Sequence, residues 1–210
     1  PSPLLPEAAF RIAATHGVPG PDDNEDLALG VAALQAFLEK YPEHKLAGQA
    51  NLQIVQSYLH RGRFDDAIAA AKKFLADERY VKREEVPAAR SLLGTAYKVQ
   101  RKYDEALAVY AEFLGKHPTH SAWAQVQQEI INVEFLKGQA AFEAKKYDEA
   151  RKLWEAFAAK YPLDARNSAV LYRFGQMKFA EEKYDDAIAA WRQLVAKYPG
   201  TNEASLAQFM

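Results

Sequence analysis

The sequence predicts an all-α protein: a right-handed superhelical α-solenoid of stacked antiparallel helix pairs, with about 10–11 helices. Three observations predict this fold class. One phrase recurs along the chain, most plainly as Lys102–Ala106, Lys146–Ala150 and Lys183–Ala187. Apolar residues within each copy follow the period of a helix. The copies are 37 to 44 residues apart, and repeats of this length are typical of stacked helical arrays.

Each copy is organised around one anchor position. The anchors are Leu27, Phe64, Tyr103, Tyr147 and Tyr184. A small residue follows three positions later, and mostly bulky residues follow at seven and ten positions. These offsets lie on one face of a helix, so they predict a buried seam along the second helix of each pair. Tyr110, Trp154 and Trp191, seven positions after their anchors, are therefore assigned to the core rather than to a sugar-stacking platform.

Both helices of a pair carry a further signal. Gly94, Gly138 and Gly175 lie nine positions before their anchors. Glycine costs a helix about 1 kcal/mol relative to alanine, so its use here indicates close packing. Proline fifteen positions after most anchors ends the second helix, because it offers no amide hydrogen. We predict a single helix at 24–41, and then the pairs 45–60 with 63–76, 84–100 with 103–116, 121–145 with 147–160, and 166–182 with 184–197.

The two ends of the chain differ from the repeats. A helix is predicted from Pro6 to His16, followed by a loop of prolines, glycines and acidic residues. Residues 1–24 thus form an N-terminal segment, and residues 25–210 form a solenoid of about four to five repeats. Residues 202–210 have the pattern of an opening helix, which makes the last repeat truncated. Because the chain also begins without methionine, we expect it to be a piece of a longer protein.

The small residue, aromatic anchor, later alanine, aromatic seam residue and closing proline together resemble the tetratricopeptide repeat, a helix-turn-helix unit of about 34 residues. Where that repeat commonly has a small residue, ten positions after the anchor, this chain has Phe37, Phe74, Phe113 and Phe157. This variant is similar to repeats of bacterial envelope proteins such as the Tol-Pal coordinator and the barrel-assembly lipoprotein. The resemblance favours the periplasm or cell envelope, with the cytoplasm as the alternative.

Composition and charge argue against several function classes. The 210 residues contain 27 Lys and Arg against 28 Asp and Glu, and this near balance gives no basis for binding nucleic acid. No apolar run approaches the ~18 residues that would indicate a membrane span. Without cysteine, the chain has no disulfide, no thiol nucleophile and no cysteine-based zinc site.

No group of residues predicts catalysis, a metal site or a cofactor. Acidic pairs such as Asp104 and Glu105 open four of the second helices, and this repetition indicates complementation of helix dipoles rather than an acid–base site. His117 and His120 are separated by Pro118 and lack a third ligand, so we assign them to a surface loop rather than to a metal site. We predict that the protein is not an enzyme.

The resemblance assigns binding to the concave face, which the first helix of each pair lines. Offsets of twelve, eight and five before the anchor share one helical face. The candidate partner-binding residues at these offsets are Gln56, Thr95, Phe135, Gln139, Phe142, Tyr172, Gln176 and Phe179. Amides can pair with both donors and acceptors of an extended peptide, and aromatic rings can form side-chain pockets. For Phe142 and Phe179 the alternative is a place in the core between repeats.

Two functions remain open at this point. We predict a non-enzymatic module that binds a protein or peptide partner on its concave face, as part of a larger bacterial protein or assembly. The alternative is a structural spacer in a multidomain envelope protein with no free ligand. Chaperone-binding repeats need lysine and asparagine on their inner faces, and Leu52 and Ser91 stand at such positions here, which disfavours that partner. The open C-terminal edge offers a route to self-association.

Overall fold

The computed structural model describes residues 4–210, and across them the chain is all-helical. The predicted fold class is confirmed: this range contains eleven α-helices, two 3₁₀ helices and no β-strand. The α-helices are α1 Leu5–Ile12, α2 Asn24–Lys40, α3 Ala47–His60, α4 Phe64–Ala76, α5 Val86–Val99, α6 Tyr103–Lys116, α7 Trp123–Glu143, α8 Tyr147–Lys160, α9 Asn167–Ala180, α10 Tyr184–Lys197 and α11 Asn202–Ala207. The 3₁₀ helices are Ala13–His16, which directly follows α1, and Glu78–Tyr80.

The chain divides into two compact units, residues 1–133 (unit 1) and 134–210 (unit 2), and the boundary lies within α7. In unit 1, consecutive helices from α2 to α6 pack against each other. In unit 2, α9 packs against α8 and α10, and α11 packs against both α9 and α10. The predicted pairs α3 with α4, α5 with α6 and α9 with α10 are among these contacts, and Trp154 of α8 bonds Phe135 of α7. The predicted boundary after residue 24 stays a prediction.

The seam predicted from the offsets forms the core of both units. Its residues at three, seven and ten positions after the anchors are almost completely buried: Leu34, Phe37, Ala67, Ala71, Phe74, Ala106, Tyr110, Phe113, Ala150, Trp154, Phe157, Ala187, Trp191 and Leu194. Full burial of one large apolar side chain stabilises a fold by about 1.5–3 kcal/mol relative to leaving it exposed. The seam therefore supplies much of the stability and is not available to a partner.

Glycines in the first helices make room for the large aromatic residues of the seam. A Cβ atom on Gly94 would collide with the ring of Tyr110, and one on Gly138 or Gly175 would collide with the indole of Trp154 or Trp191. In another repeat of unit 1, the larger side chain is on the first helix and the smaller one is on the second helix. This repeat has Val55 in place of the glycine and Ala71 in place of the aromatic residue, and both are fully buried.

One turn position, seventeen residues after the anchor, accepts a backbone hydrogen bond just before or at the start of the next helix. The Nδ1 atoms of His44 and His120 accept hydrogen bonds from backbone N–H groups two residues later, at 3.3 and 3.1 Å. Asp164 accepts from the N–H of Arg166 at 2.9 Å, and Thr201 Oγ1 accepts from that of Ala204 at 3.2 Å. Thr201 thereby caps α11, whereas the other three fix the turn that leads into the helix.

His117 and His120 lie in the turn between α6 and α7, as their assignment to a surface loop predicts, but their rings are not fully exposed. Both rings are half-buried and pack edge-on against Phe113, with centroid distances of 5.3 and 5.5 Å. The sequence alone did not show this, because the packing depends on how the turn folds back on the buried end of α6. These histidines have a structural role in the turn.

Candidate functional site

Six of the predicted binding residues lie together in unit 2, on α7 and α9. This set, the α7/α9 surface, consists of Phe135, Gln139, Phe142, Tyr172, Gln176 and Phe179. The rings of Phe135 and Phe142 lie 6.0 and 5.9 Å from that of Trp154. The rings of Tyr172 and Phe179 lie 6.3 and 6.2 Å from that of Trp191. The same aromatic arrangement thus occurs twice in one unit.

Each tryptophan is held through its indole N–H. Trp154 Nε1 donates to the backbone carbonyl of Phe135 at 3.1 Å, and Trp191 Nε1 donates to that of Tyr172 at 3.2 Å. A buried donor without a partner costs about 1–3 kcal/mol, so these bonds favour one orientation of each ring. The tryptophans therefore form a fixed support for the aromatic residues of the α7/α9 surface.

The four aromatic residues of this surface are partly core and partly exposed. Phe135, Phe142 and Tyr172 are half-buried, and Phe179 is 48% exposed. The core and groove alternatives for Phe142 and Phe179 are thus compatible: part of each ring packs on tryptophan, and part remains accessible. Accessible apolar surface on a rigid support is what a partner can cover without a large cost in conformational entropy.

The two glutamines of the surface are engaged within their own helices through opposite ends of their amides. Gln139 Nε2 donates to Glu143 at 3.0 Å, whereas Gln176 Oε1 accepts from Arg173 Nη1 at 2.7 Å. Within residues 4–210, the carbonyl oxygen of Gln139 and the amino group of Gln176 therefore have no hydrogen-bond partner. Together they present one acceptor and one donor, the two groups that an extended peptide backbone requires.

Arg173 belongs beside this surface, and the sequence analysis did not include it. Its guanidinium lies over the ring of Phe142, 5.0 Å from the ring centroid, and its Nη1 bonds Gln176. The equivalent positions hold Gln53 in α3, Leu92 in α5 and Leu136 in α7, so only α9 has a charged residue there. The signal that could have found Arg173 is this break of the pattern next to the chosen offsets.

The two predicted residues of unit 1 lie on α3 and α5, and Thr95 is already occupied. Its hydroxyl donates to the carbonyl of Ser91 at 3.1 Å and lies 3.3 Å from the hydroxyl of Tyr110. Burial raises the pKa of Tyr110 to about 12, so its phenol stays neutral over the physiological range. Gln56 is half-buried. The structure therefore brings six of the eight predicted residues together in unit 2.

Unit 1 contains a groove of about 550 Å³ that the sequence analysis did not predict. Side chains of α2 and α4 line it, together with Asn51, Ile54 and Tyr58 of α3. Its charges are mixed, and two of them belong to the ion pair between Asp77 and Arg79, at 2.6 Å. This mixed lining does not indicate a class of ligand.

A second groove, of about 490 Å³, lies at the C-terminal edge of unit 2 and is mainly apolar. It is lined by Ile188, Trp191, Arg192, Val195, Ala196, Ala207, Gln208 and Met210. The nearby Phe209 is 88% exposed. This is the edge that the repeat pattern predicted to be open.

In the part of the chain that the structure describes, no helix is both long enough and apolar enough to cross a membrane. Nowhere within residues 4–210 do three His, Asp or Glu side chains converge as ligands for a metal ion.

Comparison with known proteins concerns both units. One model of the tetratricopeptide repeat matches residues 22–77 and 52–121, and a second model of the same repeat matches 133–164 and 169–201. No curated protein shows significant similarity to the chain.

Solved structures with a similar course of the chain have low sequence identity. MamA protein is 15% identical, with 95% of this chain and 98% of that chain covered and a TM-score of 0.49. The TPR2AB domain of yeast Sti1, in complex with pHSP90, is 13% identical, with coverages of 99% and 84% and a TM-score of 0.49. PilW, a type IV pilus biogenesis factor, is 13% identical, with coverages of 99% and 100% and a TM-score of 0.43.

Proposed function

We propose, from the premise that this chain belongs to the tetratricopeptide repeat family, that it is a non-enzymatic interaction module that binds an extended segment of a protein partner on the α7/α9 surface. Tetratricopeptide repeats in general mediate protein–protein interactions, and their stacked helices create extended binding surfaces. The envelope location that the repeat variant favours is part of the same proposal.

One observation supports this choice of surface above the others. Accessible aromatic rings on tryptophan supports alternate with a free amide acceptor on Gln139 and a free amide donor on Gln176. An extended peptide offers side chains to the rings and backbone groups to the amides, so both kinds of group on the surface find partners. Peptide recognition elsewhere combines backbone hydrogen bonds with side-chain pockets in this way.

The experiment is a selection of random linear peptides displayed against the wild-type protein. Phe179→Ala should weaken the binding of the selected peptides by about tenfold or more, because aromatic anchors contribute most to the affinity of such interfaces. The double variant Gln139→Ala and Gln176→Ala should also bind the selected peptides more weakly. Leu163→Ala is the matched control, since Leu163 is 97% exposed and lies in the turn between α8 and α9.

Thermal unfolding of each variant checks that the fold is retained. Peptides that bind Phe179→Ala as tightly as wild type would show that the α7/α9 surface is not the binding site. Failure to select any peptide would favour the alternative function.

That second candidate is a structural spacer or assembly element, and the apolar C-terminal groove favours it. Ile188 and Phe209 are 42% and 88% exposed there. A second copy that covers this edge would bury apolar surface at about 25 cal/mol per Å². Sedimentation should then show a dimer that Ile188→Asp dissociates, with no effect of Phe179→Ala.

A further inference from the structure

Two arginines of unit 2 lie on the aromatic rings that pack against Trp154. Arg166 lies 5.4 Å from the ring centroid of Phe135, and Arg173 lies 5.0 Å from that of Phe142. Cation–π contacts of this kind hold a guanidinium against a ring face without using its N–H donors. Both arginines thus keep their donors for other partners.

The two arginines differ in the partners of those donors. Arg166 uses Nε and Nη2 to bind both carboxylate oxygens of Asp164, at 2.8 and 2.7 Å. Arg166 keeps the pKa of the Asp164 carboxyl below its usual range, as expected for a tight pair. The positive charge of Arg166 is therefore compensated within unit 2.

Arg173 has the same ring contact and no carboxylate. Its Nη1 donates to Gln176, and among residues 4–210 no Asp or Glu lies within ion-pair distance of it. Its Nε and Nη2 bond no residue in that range, and neither atom is buried. The two nitrogens that Arg166 directs at a carboxylate are therefore open to solvent in Arg173.

Two acidic side chains at the C-terminal ends of α7 and α9 have other partners. Glu181 accepts from Arg151 at 3.0 Å and from Lys183 at 2.8 Å, and Lys183 foremost keeps the pKa of its carboxyl low. Glu143, on α7, accepts from Gln139. The guanidinium of Arg173 is thus held by Phe142 and Gln176, and its own unit does not supply the carboxylate that this geometry fits.

We propose that Arg173 binds an aspartate or glutamate side chain of the peptide that occupies the α7/α9 surface, through paired hydrogen bonds from Nε and Nη2. The inference rests on the proposed function and adds the chemical class of the partner. The partner is an extended segment with a carboxylate close to an apolar or aromatic residue, which packs on Phe179. Arginine suits this role because its planar fork matches the two oxygens of a carboxylate.

The test compares displayed random peptides selected on wild type, on Arg173→Leu and on Phe179→Ala. Leucine is chosen because Leu136 stands at the equivalent position of α7. Wild type should enrich Asp or Glu at one fixed position of the selected peptides, and Arg173→Leu should lose this enrichment. For one selected peptide, replacing the acidic residue by its amide should weaken binding to the wild-type protein about tenfold. The same replacement should leave binding to Arg173→Leu nearly unchanged.

Arg166→Leu is the matched control. It removes an arginine from the same aromatic cluster, but the charge of this arginine is already paired with Asp164. It should retain the preference for acidic peptides, and thermal unfolding checks that each variant is folded. Peptides that depend on Phe179 but show no preference for acids would overturn this inference and leave the proposed function standing. Peptides that bind Phe179→Ala unchanged, or no selected peptides, would overturn both.

Discussion

The two units differ in the aromatic seam residue that lies seven positions after the anchor. In unit 1, Tyr110 lies over Gly94, and its hydroxyl lies 3.3 Å from that of Thr95. In unit 2, Trp154 lies over Gly138 and donates instead to the backbone carbonyl of Phe135. The tyrosine hydroxyl thus lies within hydrogen-bond distance of a side chain of the neighbouring helix, whereas the tryptophan N–H bonds the backbone of that helix.

This difference changes how a repeat uses the polar side chain that lies eight residues before its anchor. Thr95, Gln139 and Gln176 are equivalent positions, eight residues before their anchors. Thr95 lies against the seam tyrosine, whereas the hydrogen bonds of Gln139 and Gln176 within residues 4–210 go to Glu143 and Arg173 and use one end of each amide. A core residue thereby controls the chemistry of the surface one turn away.

The largest expected effect comes from removing the tryptophan support. Trp154→Ala should lower the free energy of unfolding by about 3–5 kcal/mol, because it leaves a large cavity at a fully buried site. Trp154→Tyr should cost less, because it keeps a ring in the slot. Urea denaturation measures both losses. If alanine cost no more than tyrosine, the indole would not be the support that the comparison requires.

The next effect comes from filling the glycine position. Gly175→Ala should destabilise the fold by about 1–3 kcal/mol, because its Cβ would collide with the buried ring of Trp191. Gly115→Ala is the matched control: Gly115 lies in α6, and an added Cβ would meet no atom within 4 Å. The control should stabilise slightly, by about 0.5 kcal/mol. Equal effects in the two variants would exclude close packing as the reason for Gly175.

The smallest effect is a dependence on pH that is specific to unit 1. Burial, together with the charge of Arg90, lowers the pKa of His117, whose Nε2 is buried and has no hydrogen-bond partner among residues 4–210. Because the unfolded chain then binds more protons, stability should fall as the pH drops below about 6.5. The equivalent residue of unit 2 is Tyr161, so His117→Tyr should reduce this loss in unfolding experiments at pH 5 and 7. An unchanged pH profile would contradict the role of His117.

The helices were predictable from the sequence because the signals that specify them are local. The period of the apolar residues, the anchors and the closing prolines each act within one helix or one turn, and they placed α2 to α10 close to their observed bounds. The assignment of Trp154 and Trp191 to the core followed from the same offsets. Family membership followed from the recurrence of these signals along the chain.

The surface was only partly predictable, because it depends on contacts between residues of different helices. Offsets on one helix placed Gln139 and Phe142 on the same face, but they did not show that Arg173 of α9 lies over Phe142 of α7. They also did not show which end of each amide is free. Such choices depend on distances of a few ångströms between neighbouring helices, which a repeat pattern does not specify.

By itself, then, the sequence of this protein determined its helical repeats, its buried seam and its family, because helix period and turn chemistry are properties of short segments. Only the tertiary structure decided that Arg173 of α9 lies over Phe142 of α7 and that, within residues 4–210, no carboxylate lies within ion-pair distance of it. The physical reason is that contacts between residues of different helices depend on how those helices pack to within a few ångströms, which a local pattern does not specify.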